Sequence, residues 1–338
     1  MKCVNQGLKV RLYPDEDMMI KINQNIGNSR FTWNKLLEDY QNTYKLFKLH
    51  GYTKLKCNMT TFNAMLNMLK KEHAFLYLSE SSSLQQVYRD LIHAFNKFFS
   101  GVGGYPRFKS KKHDKKAFRI QNNGNIKIKP HAIILPKLGE VYYRTSKKYH
   151  EKLKNVKISN VTIKIENGKY YAVFNIKTEI PKFPKTNEAV GIDLGMRTLA
   201  TLDNGLKIAN LDVTYEENMI KKYQKRLSRQ KHNSNRYKKT LKTYWKWIDQ
   251  KKNKINDYYH KTTTQIVKKY DIIILENLNI KGMFQNPKYS PKLQKIAWKK
   301  FLEMLKYKAK YTEKHSDKSA DGTHQAKHAT TVDTTTKT

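Results

Sequence analysis

The sequence contains few cysteines and no long apolar run, and these shortages narrow the classes of protein it can be. Cys3 and Cys57 are the only cysteines in 338 residues. Two are too few for a disulfide framework or a cysteine-based zinc site, so we expect both to be reduced thiols. No run of about 18 apolar residues suggests a transmembrane helix, and no signal peptide opens the chain. We therefore expect a cytoplasmic protein without a membrane partner.

Acidic residues are also scarce relative to basic ones. The chain has 28 Asp and Glu against 67 Lys and Arg, which gives a formal net charge of +39. Such an excess repels itself unless a polyanion neutralises it, so nucleic acid is the expected partner. A ribosomal or chromatin protein could share this charge. However, 22 Tyr, 13 Phe and 4 Trp favour folded domains and base stacking.

The first hundred residues predict one strand followed by helices. Alternating Leu8, Val10 and Leu12 indicate a strand that Pro14 ends. Apolar residues then recur at helical spacing from residue 15 to about 99, and we expect separate later helices at about 42–50, 60–72 and 83–99. The segment GVGGYPRFKSKKHDKK (101–116) predicts a basic loop. Its aromatic and basic residues suit a nucleic-acid contact better than a solvated linker: Tyr105, Arg107, Phe108 and Lys109.

The pattern changes to strands in residues 117–180, where Asn-Gly in ENGK predicts a hairpin turn. We expect a small antiparallel β-barrel that the early strand closes. After the proline-punctuated linker PKFPK (181–185), a second unit reads as an α/β layer. It comprises a strand in AVGIDLG, a strand–turn–strand in TLATLDNGLKIAN, basic helices over about 215–269, a strand in DIIILENL (271–278) and a helix over 296–311.

Two carboxylates in the second unit stand out because they interrupt apolar strands. Asp193 lies between Ile192 and Leu194, and Glu276 ends the run IIIL. Carboxylates in such places are costly unless they are paired or bind metal. In a strongly basic protein they suggest Mg²⁺ ions that activate water on a phosphodiester. Alternatives remain open, because GIDLG also occurs in sugar-kinase-like ATPases and a glutamate at a strand end is often a satisfied edge residue.

Several short segments together resemble one family. GLKVRLYP, RFTWN, YPRFKSKK, VGIDLGMRTLATLDNG, IILENLNIKGM and FLEMLKYKAKY occur in an order and at spacings similar to the TnpB (OrfB) family of insertion-sequence proteins, traditionally labelled transposases. The resemblance covers about residues 2–311. It implies an RNA-guided DNA endonuclease, related to type V CRISPR effectors, whose partners are target DNA and a guide RNA from the transposon end.

The resemblance also implies an α+β multidomain fold. It predicts a wedge-like β-barrel from residues 1–14 and 105–180, with a helical recognition insertion at 15–104. An RNase H-like (RuvC) α/β domain would occupy 181–311. We expect this domain to be incomplete, without its zinc ribbon and C-terminal part, and the tail at 312–338 to be disordered.

The resemblance assigns roles to particular residues. Asp193 and Glu276 match the first two catalytic acids, which hold Mg²⁺ in the family. A third Asp follows a four-cysteine zinc ribbon, and residues 312–338 show neither, so we expect a weakened magnesium site and no zinc ligands. Nucleic-acid backbone contacts, with solvated charge as the alternative, are predicted for five basic residues: Arg229, Lys231, Arg236, Lys238 and Lys281.

The tail after Tyr311 suggests why the ribbon is missing. If each codon is begun on the third base of the previous one, the tail permits the reading YGKTFRQIGRWYPSSQTCNHCGY. The junctions His328–Ala329 and Thr331–Val332 then become cysteines at C-x₂-C spacing. We interpret the tail as a frameshift near Tyr311–Thr312. The gene's DNA tests this, because codons there that cannot give TGC and TGT rule it out.

The sequence therefore predicts a transposon-associated, RNA-guided DNA endonuclease by descent that is defective in cleavage. One alternative is a nuclease-dead, guide-directed repressor, and another is a decayed gene product without function. The retained Asp193 and Glu276 argue against long selection as a dead repressor. We expect the protein to be cytoplasmic, to associate with the nucleoid when bound to DNA, and to have an oligomeric state that the sequence does not indicate.

Overall fold

The computed structural model describes residues 2–52, 55–154, 156–180, 183–276, 285, 297–312 and 314–318. The chain divides into two compact units. One is formed by Cys3–Glu179, and the other by Met1–Lys2 together with Ile180–Thr338. In the described ranges, no helix combines the length and the hydropathy needed to cross a bilayer.

The first unit combines a sheet with a group of helices, each with its own hydrophobic core. Its strands are β1 Lys2–Tyr13, β2 Lys116–Gln121, β3 Lys127–Ile128, β4 Ala132–Leu135, β5 Gly139–Arg144, β6 Ile158–Glu166 and β7 Lys169–Ile180. Its helices are α1 Glu16–Leu49, α2 Met59–Glu72, the 3₁₀ helix Ala74–Leu78, α3 Ser81–Phe99 and α4 Lys147–Lys154.

The early strand is present as predicted, and it pairs with strands formed by residues 117–180. Leu8, Val10 and Leu12 are buried, as their alternation requires. The strand order is β2-β6-β7-β1-β5-β4-β3. Strand β1 therefore joins the two halves of the sheet at its centre, and closure into a barrel stays a prediction. Pairing between distant segments sets this place, and no local pattern encodes it.

The hairpin between β6 and β7 confirms the Asn-Gly signal. Asn167 and Gly168 have φ values of 50° and 69°, the left-handed backbone that a two-residue hairpin loop of type I′ requires. Glu166 and Lys169 then pair across the loop. Register is fixed from this turn, so Ile163 and Ala172 lie opposite each other in the core.

Helix α1 is a single element of 34 residues, so the separate helix expected at 42–50 is its continuation. Asp15 caps it, because its Oδ1 accepts a hydrogen bond from Met18 N at 2.7 Å. The N-terminal half buries Ile22 in the core of the sheet. The C-terminal half buries Leu36 and Leu37 against α2 and α3. One helix therefore serves both cores of this unit.

The second unit is a five-stranded sheet with helices. Its strands are β8 Ala189–Asp193, β9 Thr198–Leu202, β10 Lys207–Ala209, β11 Ile272–Leu275 and β12 His315–Lys318, and its helices are α5 Thr214–Ser228, α6 Asn235–Lys269 and α7 Trp298–Tyr311. The order is β10-β9-β8-β11-β12. Strand β9 is antiparallel to β8 and to β10, whereas β11 is parallel to β8 and to β12.

Strand β12 lies in the segment for which the sequence suggests disorder. Just before it, the Lys314 ammonium lies 2.8 Å from a carboxylate oxygen of Asp271 and is almost fully buried. That carboxylate also accepts hydrogen bonds from the backbone N–H groups of Thr186 and Asn187. These contacts hold the pKa of Asp271 well below its usual range, with Lys314 as the largest cause. The start of the tail is therefore docked on the sheet, and residues 319–338 lie outside the described ranges.

Candidate active site and nucleic-acid surfaces

The two carboxylates predicted from the sequence lie at the same edge of the second sheet. Strands β8 and β11 are parallel neighbours, with Ile192 opposite Leu275. The next residues, Asp193 and Glu276, therefore emerge together where both strands end. The backbone N–H of Glu276 points to the carbonyl of Ile192, with an N–O distance of 3.4 Å. Both acidic residues are exposed, whereas the apolar residues beside them are buried.

The carboxyl groups of Asp193 and Glu276 lie close enough to affect each other's charge. A hydrogen bond with Asp193 raises the pKa of Glu276 above its ordinary value of 4.5, and partial burial and the negative charge of Asp193 act in the same direction. Two neighbouring carboxylates cannot both ionise without repulsion, so they favour a shared proton or a bound cation. This pair is therefore the part of the second unit that we consider as a candidate active site.

Two glycines of the GIDLG segment fit close backbone approaches beside the pair. A Cβ atom at Gly195 would lie 3.0 Å from the carbonyl oxygen of Thr198. Gly191 donates a hydrogen bond at 2.8 Å to the carboxylate of Asp203, and a Cβ at Gly191 would lie 3.3 Å from that oxygen. Asp203 lies in the turn after β9, where the sequence indicated only an Asn-Gly signal. Its side chain ties that turn to β8 two residues before Asp193.

The residues present fit a hard divalent cation. Mg²⁺ prefers oxygen ligands and is commonly held by one or two carboxylates, with water and substrate phosphate completing its shell. Asp193 and Glu276 supply two such carboxylates on rigid strand ends, open to solvent. Within the described residues, no group of three or more His, Cys, Asp or Glu side chains could hold a metal ion. Asp193 and Glu276 are the residues we would assign to magnesium.

The predicted nucleic-acid loop of the first unit is fastened to helix α1. The carbonyl of Arg107 accepts a hydrogen bond from the Trp33 indole at 3.0 Å. Asn34 bonds both backbone groups of Lys109, at 2.7 and 2.9 Å. The loop conformation therefore does not depend on a ligand. Arg107 and Phe108 are left exposed on its outer side.

Lys109 and Tyr105 have partners within the protein. The Lys109 ammonium lies 3.5 Å from the centre of the Trp33 ring, and burial lowers the pKa of this lysine. The Tyr105 ring packs edge-on against Phe95 and Phe98, with centroid distances of 5.6 and 5.1 Å. Tyr105 nevertheless keeps nearly half of its surface exposed. Arg107 and Phe108 are therefore the side chains of this loop most available to nucleic acid, whereas the Lys109 ammonium already contacts the Trp33 ring.

Four of the other predicted basic residues lie together where α5 turns into α6. The helix pair is held by ion pairs between Glu216 and Lys254 at 3.2 Å and between Glu217 and Lys251 at 2.8 Å. The connecting loop places exposed basic side chains at the turn and in the first turn of α6: Arg229, Lys231, Arg236 and Lys238. The fifth predicted residue, Lys281, lies outside the described residues.

The fold and the site define a class before any comparison is made. A mixed α/β sheet that places two carboxylates at the ends of adjacent parallel strands, in a chain of charge +39, fits a protein that acts on nucleic acid. Two family models match the chain: OrfB of IS605-type insertion sequences, described as "Probable transposase", at residues 162–287, and the helix-turn-helix domain of the same proteins at residues 1–48. The chain belongs to this OrfB (TnpB) family.

Curated relatives agree with this membership, and a solved structure shares the fold. The chain is 27% identical over 320 residues to the "Putative RNA-guided DNA endonuclease" of Streptomyces pristinaespiralis, covering 91% of this chain and 75% of that protein. It is 29% identical over 283 residues to the protein of Escherichia coli K12 named "Putative RNA-guided DNA endonuclease InsQ", covering 82% and 67%. A chain of the Cas12f1–sgRNA–target DNA complex superposes with a TM-score of 0.56 at 11% identity, covering 94% and 89%. At that identity the likeness concerns the fold alone.

The fold of the N-terminal region differs from the description of the family model that matches it. Residues 1–48 are matched as a helix-turn-helix domain. The described part of this range forms strand β1 followed by nearly all of the continuous helix α1. In this chain the region therefore supplies the central strand of a sheet and a long helix that packs on two cores.

Proposed function

We propose that the protein is an RNA-guided DNA-binding protein of the TnpB type whose phosphodiester-cleaving site is retained in part and severely weakened. The observation that carries this proposal is the placement of Asp193 and Glu276 side by side at the ends of the paired strands β8 and β11. The sheet order supports an RNase H-like (RuvC) assignment, because three antiparallel strands are followed by two strands parallel to the first. The relatives named as RNA-guided endonucleases support the substrate class.

The roles of the two acids follow from their charges. Each must be ionised to serve as an oxygen ligand, and a bound cation would offset the repulsion between the two ionised carboxylates. The rigid ends of β8 and β11 hold the two side chains in register, which lowers the cost of orienting them. Bound there, Mg²⁺ would stabilise charge on a phosphate group and lower the pKa of a water molecule.

The weakened cleavage rests on the segment after α7. Family resemblance expects a zinc ribbon and a third catalytic Asp in this direction, but residues 312–338 contain no cysteine. With two of three carboxylates, the site would hold metal less tightly and position it less well. The alternatives are a guide-directed repressor, which needs binding without cleavage, and a decayed product. Strands β8 and β11 with both acids intact favour a site that once served cleavage over long selection as a repressor.

The proposed nucleic-acid partners are a guide RNA from the transposon end and target DNA. The excess of 67 basic over 28 acidic residues suits a long polyanion bound by its backbone. Two exposed surfaces support contacts in particular places. One is the loop with Arg107 and Phe108 on the first unit, and the other is the basic turn between α5 and α6 on the second.

Binding can be tested with the full chain expressed together with the DNA that flanks its gene. We expect one predominant RNA to copurify, and the complex to bind duplex DNA that matches the RNA more tightly than a scrambled duplex. Asp193→Asn is the matched control, because it removes a carboxylate but no basic side chain and should bind equally well. Heterogeneous RNA, or DNA binding that ignores the match, would exclude the guided function.

A further inference from the structure

An open aromatic cavity lies in the helical part of the first unit. It is bounded by the C-terminal half of α1, the chain before α2, the last turns of α3 and the loop that follows. Its volume is about 680 Å³, within the range of about 300–1,000 Å³ typical of ligand pockets. The lining is almost entirely apolar and aromatic: Tyr40, Tyr44, Leu55, Cys57, Phe95, Asn96, Phe98, Phe99 and Tyr105.

Packing of the helices explains only the inner part of this lining. Phe95 is fully buried and Tyr40 nearly so, and their ring centroids are 4.8 Å apart. At the rim, by contrast, Tyr44 is 49% exposed and Phe99 is 62% exposed. Phe99 lies nearly parallel to Phe95, at 6.0 Å and 17°. The cavity therefore has a rigid aromatic floor and aromatic walls that remain open to solvent.

The two chain segments that supply the lining carry charge of one sign. Residues 40–57 contain no Asp or Glu, and neither do residues 91–113. The charged side chains of these two segments are all basic, and they include the exposed Lys48 and Lys56. An open aromatic cavity lined by cationic segments complements a ligand with a flat apolar part and an anionic backbone. A protein partner would need a strongly acidic surface to occupy the same place.

We propose that this cavity binds an unpaired nucleobase of a single-stranded nucleic acid, which stacks against the rings of Tyr44 and Phe99. The inference rests on the proposed function insofar as the latter supplies a nucleic-acid partner. Every base has a face that can stack, so the cavity recognises an unstacked base without reading its sequence. RNA and DNA single strands share this chemistry. In a duplex the bases are paired and stacked on one another, so no base is free to enter the cavity.

The experiment uses the full chain and short single-stranded RNA and DNA oligonucleotides that each carry one 2-aminopurine, whose fluorescence is quenched when it stacks. The variant is Tyr44→Leu with Phe99→Leu, which keeps apolar side chains and favourable helix formers but removes the rings. Tyr44→Phe with Phe99→Tyr is the rescue variant. Tyr77→Leu is the matched control, since Tyr77 is 56% exposed in the same unit and does not line the cavity. Lys48→Gln with Lys56→Gln separates charge from stacking.

We expect the leucine variant to show no quenching and to bind single strands about 5- to 150-fold more weakly, the range expected when one base can no longer stack on an aromatic ring. Its affinity for duplex DNA and the slope of log K against log salt should not change. The rescue variant and Tyr77→Leu should behave like the original protein, whereas the lysine variant should reduce the salt slope and keep the quenching. Quenching with RNA alone, or with DNA alone, identifies the source of the base.

The opposing outcomes are distinguishable. If the original protein binds neither RNA nor DNA, the proposed function fails and the cavity assignment fails with it. If it binds strands but the leucine variant binds and quenches equally, only the cavity assignment is overturned. An equal weakening of single-strand and duplex binding would also overturn it, because a general defect would then explain the result.

Discussion

Replacing Asp193 by asparagine should stabilise the protein near neutral pH, because it removes one of two neighbouring negative charges. Two unit charges about 4 Å apart in water repel each other by about 1 kcal/mol. Both residues are exposed, so screening keeps the effect near or below that value. For a unit of roughly 150–250 residues, about 1 kcal/mol corresponds to a rise in Tm of about 2–4 °C.

The pH dependence of this difference follows from the raised pKa of Glu276. A carboxyl group whose pKa is higher in the folded than in the unfolded state stabilises the fold below its unfolded pKa. That contribution is lost as pH rises through the folded pKa. The advantage of Asp193→Asn should therefore be small below the ordinary value of 4.5 and develop as pH rises through the raised pKa of Glu276.

The assay is thermal unfolding of the original protein and Asp193→Asn over a pH series, with and without Mg²⁺. Metal that binds the folded state raises Tm by mass action. Mg²⁺ should therefore raise the Tm of the original protein more than that of the variant and narrow the difference. Asp203→Asn is an acidic control outside the pair, and it should lower Tm because Gly191 loses a charged acceptor. A lower Tm for Asp193→Asn at pH 7 would refute the repulsion on which the site is built.

Three other predictions follow from particular features of the two sheets and the basic turn. Gly195→Ala should lower the unfolding free energy by about 1–3 kcal/mol in chemical denaturation, because its Cβ would lie 3.0 Å from the Thr198 carbonyl oxygen; unchanged stability contradicts this. Lys314→Met should lower Tm at pH 7, since Asp271 loses its buried partner, and the difference should vanish as pH falls through the depressed pKa of Asp271; a difference that persists in strong acid counts against the ion pair. The basic residues at the α5–α6 turn are Arg229, Lys231, Arg236 and Lys238. Replacing them by glutamine should reduce the slope of log K against log salt by about 0.9 for each phosphate that is no longer neutralised. An unchanged slope would mean that none of them binds phosphate.

The two acids could be predicted from the sequence because their surroundings are so regular. Apolar runs on both sides indicate strands, and a carboxylate at the end of each one has no role in a core. What the sequence leaves open is that β8 and β11 are neighbours, a pairing across about 80 residues, although the family resemblance implies it. The structure supplies the register that brings Asp193 and Glu276 together.

Other features have no local signal. The sequence of β1 fits an edge strand and a central strand equally well. Its place in the sheet depends on pairing with β5 and β7, which are distant in sequence. Helix α1 looks like two helices because Gln41, Asn42 and Thr43 interrupt its apolar spacing, but packing of its C-terminal half against α2 and α3 continues it. Tyr44 and Phe99 fit a helical period, so their exposure is seen only in three dimensions.

The buried position of Lys314, at the end of the described chain, is another feature that the local sequence does not indicate. A lysine in a Thr- and Lys-rich tail predicts a solvated side chain. In the structure it is nearly buried against Asp271, because the chain returns to the sheet after α7. This ion pair bears on the interpretation of the tail, since at least its first residues contribute to the second unit whatever their origin.

The central claim is the proposal that Asp193 and Glu276 form a weakened cleavage site in a guided DNA-binding protein. The most direct measurement incubates the complex of the full chain and its copurified RNA with a supercoiled plasmid that carries the matching target, in Mg²⁺, beside Asp193→Asn. The account predicts that both proteins bind the matched plasmid and that the original protein leaves it supercoiled, or nicks it far more slowly than one turnover per binding event. Rapid linearisation by the original protein, abolished in Asp193→Asn, would contradict the claim that cleavage is weakened.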